Sequence, residues 1–123
     1  MLNLAIVIGS LAKPAQVRAL PNGLCLATFD LQVRLADQSP DTVPVALFDA
    51  PDQVTEWTVG QELLAIGRVK RRFFRVGGAT QSRTELVADR VLPMAPEEDV
   101  RTVLADAASK ISAVIADIEL RPQ

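Results

Sequence analysis

Over the first 92 residues the apolar positions alternate or run together in short blocks, and only beyond them do they recur at helical spacing. Leu2 to Leu11 is almost continuously apolar and carries β-branched Ile6, Val7 and Ile8, which predicts a buried strand, with Gly9 a bend or bulge and Pro14 an interruption. Pro21-Asn22-Gly23 predicts a turn, because Pro presets φ and Gly accepts the positive φ that follows. From Leu24 onward, Cys25, Ala27, Phe29, Leu31 and Val33 alternate with Leu24, Leu26, Thr28, Asp30 and Gln32. That is a half-buried strand with the first set inward, which makes Cys25 a buried, inert thiol and Phe29 a core residue. Residues 36–41 form a polar loop, and Val43 to Phe48 a third strand that Pro44 places partly at an edge. Ala50 to Trp57 fits one or two helical turns opened by Pro51. Leu63 to Phe74 is a long fourth strand, Val76-Gly77-Gly78 a turn, and Arg83 to Leu92 the fifth.

Five strands with one short helix between the third and fourth, joined by Gly and Pro turns, predict an all-β, five-stranded OB-fold barrel or another small closed β architecture. Residues 1–93 form this domain and residues 94–123 an appended amphipathic helix. Pro96 opens that helix, and Glu97, Glu98 and Asp99 complement its positive N-terminus. Val100, Leu104, Ala107, Ile111, Val114 and Ile118 then form a heptad stripe, widened by Val103 and Ile115. Asp106 with Lys110 and Asp117 with Arg121 are acid-first pairs four apart. The helix either folds back on its own barrel or zips against the same helix of another subunit; the regular stripe and its length favour the second.

The composition narrows the chemistry. Among 123 residues there is no His and no Tyr, and a single Cys. This excludes disulfide frameworks, Cys/His zinc sites and imidazole acid–base catalysis. Asp49 and Asp52 are close in sequence, but no Gly-rich phosphate loop, metal cluster or nucleophile–base pair accompanies them. No enzyme, catalytic residue, metal, cofactor or small-molecule substrate is therefore expected. No apolar run approaches the ~20 residues of a membrane helix, and nothing resembles an export signal, so a cytoplasmic, nucleoid-associated location is expected.

The net charge of −2 hides an asymmetry. Residues 1–92 hold ten Lys and Arg against nine Asp and Glu, while residues 93–123 hold three against six. Residues 68–75 read Arg-Val-Lys-Arg-Arg-Phe-Phe-Arg, five cations with no acid among them. On an extended strand Arg68, Lys70, Arg72 and Phe74 share one face, and Val69, Arg71, Phe73 and Arg75 the other. Three cations and an aromatic on one face supply what unpaired nucleic acid needs, charge for phosphates and a flat ring for bases. A solvated hairpin is the plain alternative, although five cations without a compensating acid are unusual for one. Cations on both faces predict an arm that outgrows the barrel.

Over residues 3–92 the chain resembles the bacterial single-stranded DNA-binding protein family. The resemblance is carried by Asn3 to Leu11, Val17-Arg18 before Pro21-Asn22-Gly23, Ala27 to Leu31, Val45 to Phe48, Gly60, Gly67-Arg68-Val69 and Ser82 to Val87. It implies an OB-fold that assembles as a homodimer or homotetramer and binds single-stranded DNA without strong sequence preference. It further implies base stacking on Phe48 and Phe74, with Lys70 and Arg72 as the accompanying cations. Two tryptophans of the family are missing, one after the second strand and one at the start of the third, where Thr42 or Val43 stands. The Gly/Pro/Gln-rich linker and acidic tip typical of the family are replaced by the terminal helix.

The expected nucleic-acid contacts are thus Arg68, Lys70, Arg71, Arg72, Phe74 and Arg75 of the basic run, with Phe48 and the isolated Arg18, Arg34 and Arg83. Phe73 is expected to pack, and Trp57 to plug one end of the barrel. The function expected is DNA coating in replication, repair or recombination; the alternative is an oligomerising protein-interaction module on the same fold.

Overall fold

The computed structural model describes residues 1–122. Its elements are β1 (Ala5–Leu11), β2 (Gln16–Ala19), β3 (Cys25–Val33), β4 (Asp41–Phe48), a 3-10 turn (Asp52–Glu56), β5 (Glu62–Val76), β6 (Ala79–Pro93) and α1 (Glu97–Glu119). Strand order is β1-β5-β6-β4-β3-β2, and a β1–β3 pairing closes the ring. β1 and β2 both run antiparallel to β3, Leu11 opposite Leu31 and Val17 opposite Ala27. They are two pieces of one strand broken around Pro14, which makes the closed ring five-stranded. The single parallel contact, Val45 to Leu47 of β4 beside Leu86 to Ala88 of β6, completes the OB-fold barrel. β2 has no counterpart among the predicted strands, since all four of its residues are exposed and no apolar face announces it.

Alternation works well where a strand has an inside. Phe29, Leu31, Val45, Leu47, Leu63, Ala65 and Leu86 fill the barrel with Leu11 and Val54. Trp57 packs at one end, edge-on to Phe29 with ring centres 5.5 Å apart. Pro44 does lie where β4 pairs only with β3, ahead of its contact with β6. Two expectations need correction. Cys25 is exposed: it keeps the inward parity of β3, but at the strand's first residue, past the filled part of the barrel. Gly9 is not a bulge, since β1 stays in register with β5 through it; the irregularity falls at Ile66/Gly67. Gly9 serves close approach instead. A Cβ there would lie 2.7 Å from the carbonyl oxygen of Gln32, just where β1 passes from its β5 partner to β3.

A second apolar layer lies outside the barrel. Leu64, Ile66 and Leu92 project from the outer face of β5 and β6 and are covered by Val100, Val103 and Ala107 of α1. The helix therefore does fold back on its own barrel, but only over its first half. Beyond Ala107 no residue of α1 is buried, and Ile111, Ile115 and Ile118 lie in the open. Among the described residues no helix is long and apolar enough to cross a membrane.

Val103 is 3% exposed at the centre of this layer. Val103→Ala is expected to cost about 1–2 kcal/mol through lost transfer energy and a residual cavity. A urea melt reads this directly, and an unchanged midpoint would mean that the helix is not docked.

Candidate nucleic-acid interface

β5 and β6 are each 15 residues long, about 50 Å if fully extended, and the barrel uses only part of that length. From Arg68 to Val76 and from Ala79 to Thr84 every residue except half-buried Arg72 is exposed. The hairpin is thus an arm wetted on both sides. Gly77 and Gly78, both at positive φ, form the two-residue turn at its tip, a conformation that matches the twist of paired strands. At its root the Asn3 side chain acts as an extra strand residue, accepting from the Val69 N–H at 2.9 Å and donating to the Val69 carbonyl at 2.8 Å.

The arm and β2 enclose a groove of about 580 Å³. Arg18 and Gln16 stand on one wall, Arg72, Phe74, Arg75 and Val76 on the other, with Thr28 and Arg83 between them. Phe74 is 40% exposed, a ring with an accessible face. Residues 68–75 contain no acid, but β6 supplies acids from across the ladder. Arg72 donates to Glu85, whose side chain is only 2% exposed. Arg68 lies 3.8 Å from Asp89, and Arg83 of β6 donates to Asp30 at 3.1 Å. The expectation of an uncompensated run is corrected accordingly: pairing in an antiparallel ladder is set by register, which the sequence of one strand does not display.

Arg72 is the most constrained of these groups. Burial, then the charges of Arg18 and Arg83, lower its pKa from the ordinary arginine value, and Glu85 is its ion-pair partner. Its guanidinium carbon also sits 5.7 Å from the centre of the Phe48 ring, within cation–π range. Arg72 is therefore a brace between Glu85 and Phe48, and the Arg18, Arg72 and Arg83 guanidiniums together form a positive cluster at the groove.

Phe48, at the end of β4, is 40% exposed. Its register neighbour Leu26, outward by parity, is buried and is flanked on its other side by Arg18. Phe48 borders a second concavity of about 670 Å³, shared with Trp57, Gln53, Asp89 and Arg90. Lys70 and Arg71 form no ion pair among the described residues, and they point to opposite faces of the arm. Arg75 donates to the Gly78 carbonyl at 2.9 Å, which stiffens the tip. Arg34 is not brought to the groove: it follows Val33 at the far end of β3 from Leu26, roughly 25 Å along the strand. Phe73 is 68% exposed on the far face of the arm and packs against nothing substantial, contrary to expectation. Glu85 and Asn3 are the positioning residues that a search for cations and aromatics passes over.

Glu85→Ala would leave Arg72 without its partner beside two other arginines, and a loss of about 2 kcal/mol in chemical denaturation is expected. Adding Arg72→Met should recover most of that loss, because the uncompensated charge leaves with it. A single variant as stable as the parent would show that the pair does not hold the arm.

Neither the protein-family models nor the curated protein sequences contain a match to this chain. Solved structures do. One, described as the Plasmodium falciparum SSB complex with ssDNA, aligns with a TM-score of 0.63 at 18% sequence identity, covering 76% of this chain and 95% of that one. At that identity the likeness is one of fold: an OB-fold of the kind seen in that complex.

Proposed function

We propose that this chain is a non-enzymatic protein that binds single-stranded DNA with little sequence preference, in the groove between β2 and the arm. The observation that carries the reading is the convergence there of Arg18, Arg72, Arg75 and Arg83 with the accessible Phe74 ring. Cations that follow a backbone and a ring that accepts any base are the two elements of sequence-tolerant single-strand binding. Likeness of fold to a protein solved with single-stranded DNA supports the same reading. Lys70 adds a further charge, and Phe48 offers a second ring whose one side Arg72 covers. The proposal extends to a homo-oligomer coating DNA in replication, repair or recombination in the cytoplasm, associated with the nucleoid.

Because Arg72, Arg68 and Arg83 each have a carboxylate nearby, fewer charges are free for phosphates than the sequence suggests. Those same pairings, with the bare apolar end of α1, favour the rival reading of an interaction module with secondary DNA contact. An oligo-dT titration at two salt concentrations separates the two. About three phosphate contacts per chain would give log K a slope near −2 against log salt. Absence of binding at low salt would favour the module.

Phe74→Ala is expected to weaken oligo-dT binding by about 1–3 kcal/mol without altering the melting temperature, since the ring is not part of the core. Affinity unchanged by this substitution would remove the groove from the account. Trp57, packed on Phe29 outside the groove, should change its emission little on binding. Strong quenching would indicate that the strand continues past Phe48 into the neighbouring concavity.

A further inference from the structure

The second half of α1 poses a physical problem that its first half does not. Residues 108–119 include no buried side chain, yet they carry Ile111, Ile115 and Ile118, each at least 40% exposed. A twelve-residue helix whose apolar side chains are covered no further than half-buried Val114 is marginal in water. The apolar stripe that docks on the barrel through Val100 and Ala107 continues unbroken along it at heptad spacing.

The charges beside the stripe say what covers it. With Ile111 and Ile118 at the a positions and Val114 at d, Lys110 and Asp117 both fall at g. In a parallel pair g faces e of the other helix, which here presents Ala108 and Ile115, so the charges meet no partner. In an antiparallel pair g faces g. Lys110 then meets Asp117 of the second copy, and Asp117 meets Lys110, two opposite-charge pairs related by the two-fold axis. The same register sets Ile111 against Val114 and Ile115 against Ala108 of the second copy, large beside small. Among the described residues Lys110 has no ion-pair partner, whereas Asp117 holds only the exposed Arg121 at 3.2 Å. An exposed pair of that kind is weak and leaves a carboxylate oxygen free to accept from a second cation.

We infer that the distal half of α1 pairs antiparallel with the same segment of a second copy of this chain, its orientation selected by Lys110 and Asp117. This deepens the homo-oligomer of the proposed function and rests on that part of it, while the DNA groove lies on other residues. The contact is small, so a reversible dimer with a dissociation constant of roughly tens of micromolar is expected.

Sedimentation equilibrium of the full chain, with oligo-dT binding measured in parallel, tests the inference. Wild type should dimerise. Lys110→Glu and Asp117→Lys each place like charges at both contacts and should weaken dimerisation roughly tenfold. An equimolar mixture of the two variants should recover it, because every contact is then again of opposite sign. A wild-type monomer throughout this range would overturn the inference. So would variants that dimerise like the parent, as expected if the exposed Ile6 and Ile8 of β1 formed the contact instead, or a mixture that shows no recovery. DNA binding persisting in the variants with dimerisation lost would leave the groove reading intact, and the converse result would leave the pairing intact.

Discussion

A carboxylate on β6 and a guanidinium on β5 meet where the barrel ends and the arm begins. Glu85 is buried and Arg72 half-buried, and the carboxylate depends on the guanidinium for its charge partner. Their pairing makes the last well-packed point of the hairpin. Beyond it both strands leave the core, and the side chains on both faces are free to meet a ligand. The pair also turns the Arg72 guanidinium over Phe48 and brings it near Arg18 and Arg83. Positive charge is thereby concentrated at the groove. Electrostatic cost is accepted at one place so that charge is available at the next.

The arm's construction is otherwise economical in its use of backbone. Asn3 closes the ladder at the root, two glycines reverse it at the tip, and Arg75 ties the tip to itself. Between them the ladder is reinforced by Arg72 on Glu85 and by Arg83 on Asp30. The proposed tolerance of base sequence rests on the area of Phe74 and the charge of the arginines.

Much of the fold could be read from periodicity, and the reason is local. Phe29 and Leu31 sit on strands with one wet and one dry face, where alternation is the direct imprint of burial. Reading failed where that imprint is absent. β2 has no dry face, Cys25 stands past the filled part of the barrel, and Phe73 lies on an arm that has no inside. The helix was legible as a helix, but its division into a docked and a bare half depends on where the barrel stops, which no stripe records. Likewise the cations were visible and their carboxylates were not. Arg72 finds Glu85 and Arg83 finds Asp30 through strand register and barrel curvature, separations of 13 and 53 residues along the chain.

Under the proposed function, single-stranded DNA lies between β2 and the arm. Amide chemical-shift mapping of the protein with oligo-dT addresses it most directly. The largest shifts are expected at Gln16 to Ala19 and along Lys70 to Arg83, with residues Arg101 to Glu119 of the helix unmoved. Shifts confined to α1, or to the cavity beside Trp57 with β2 silent, would contradict it.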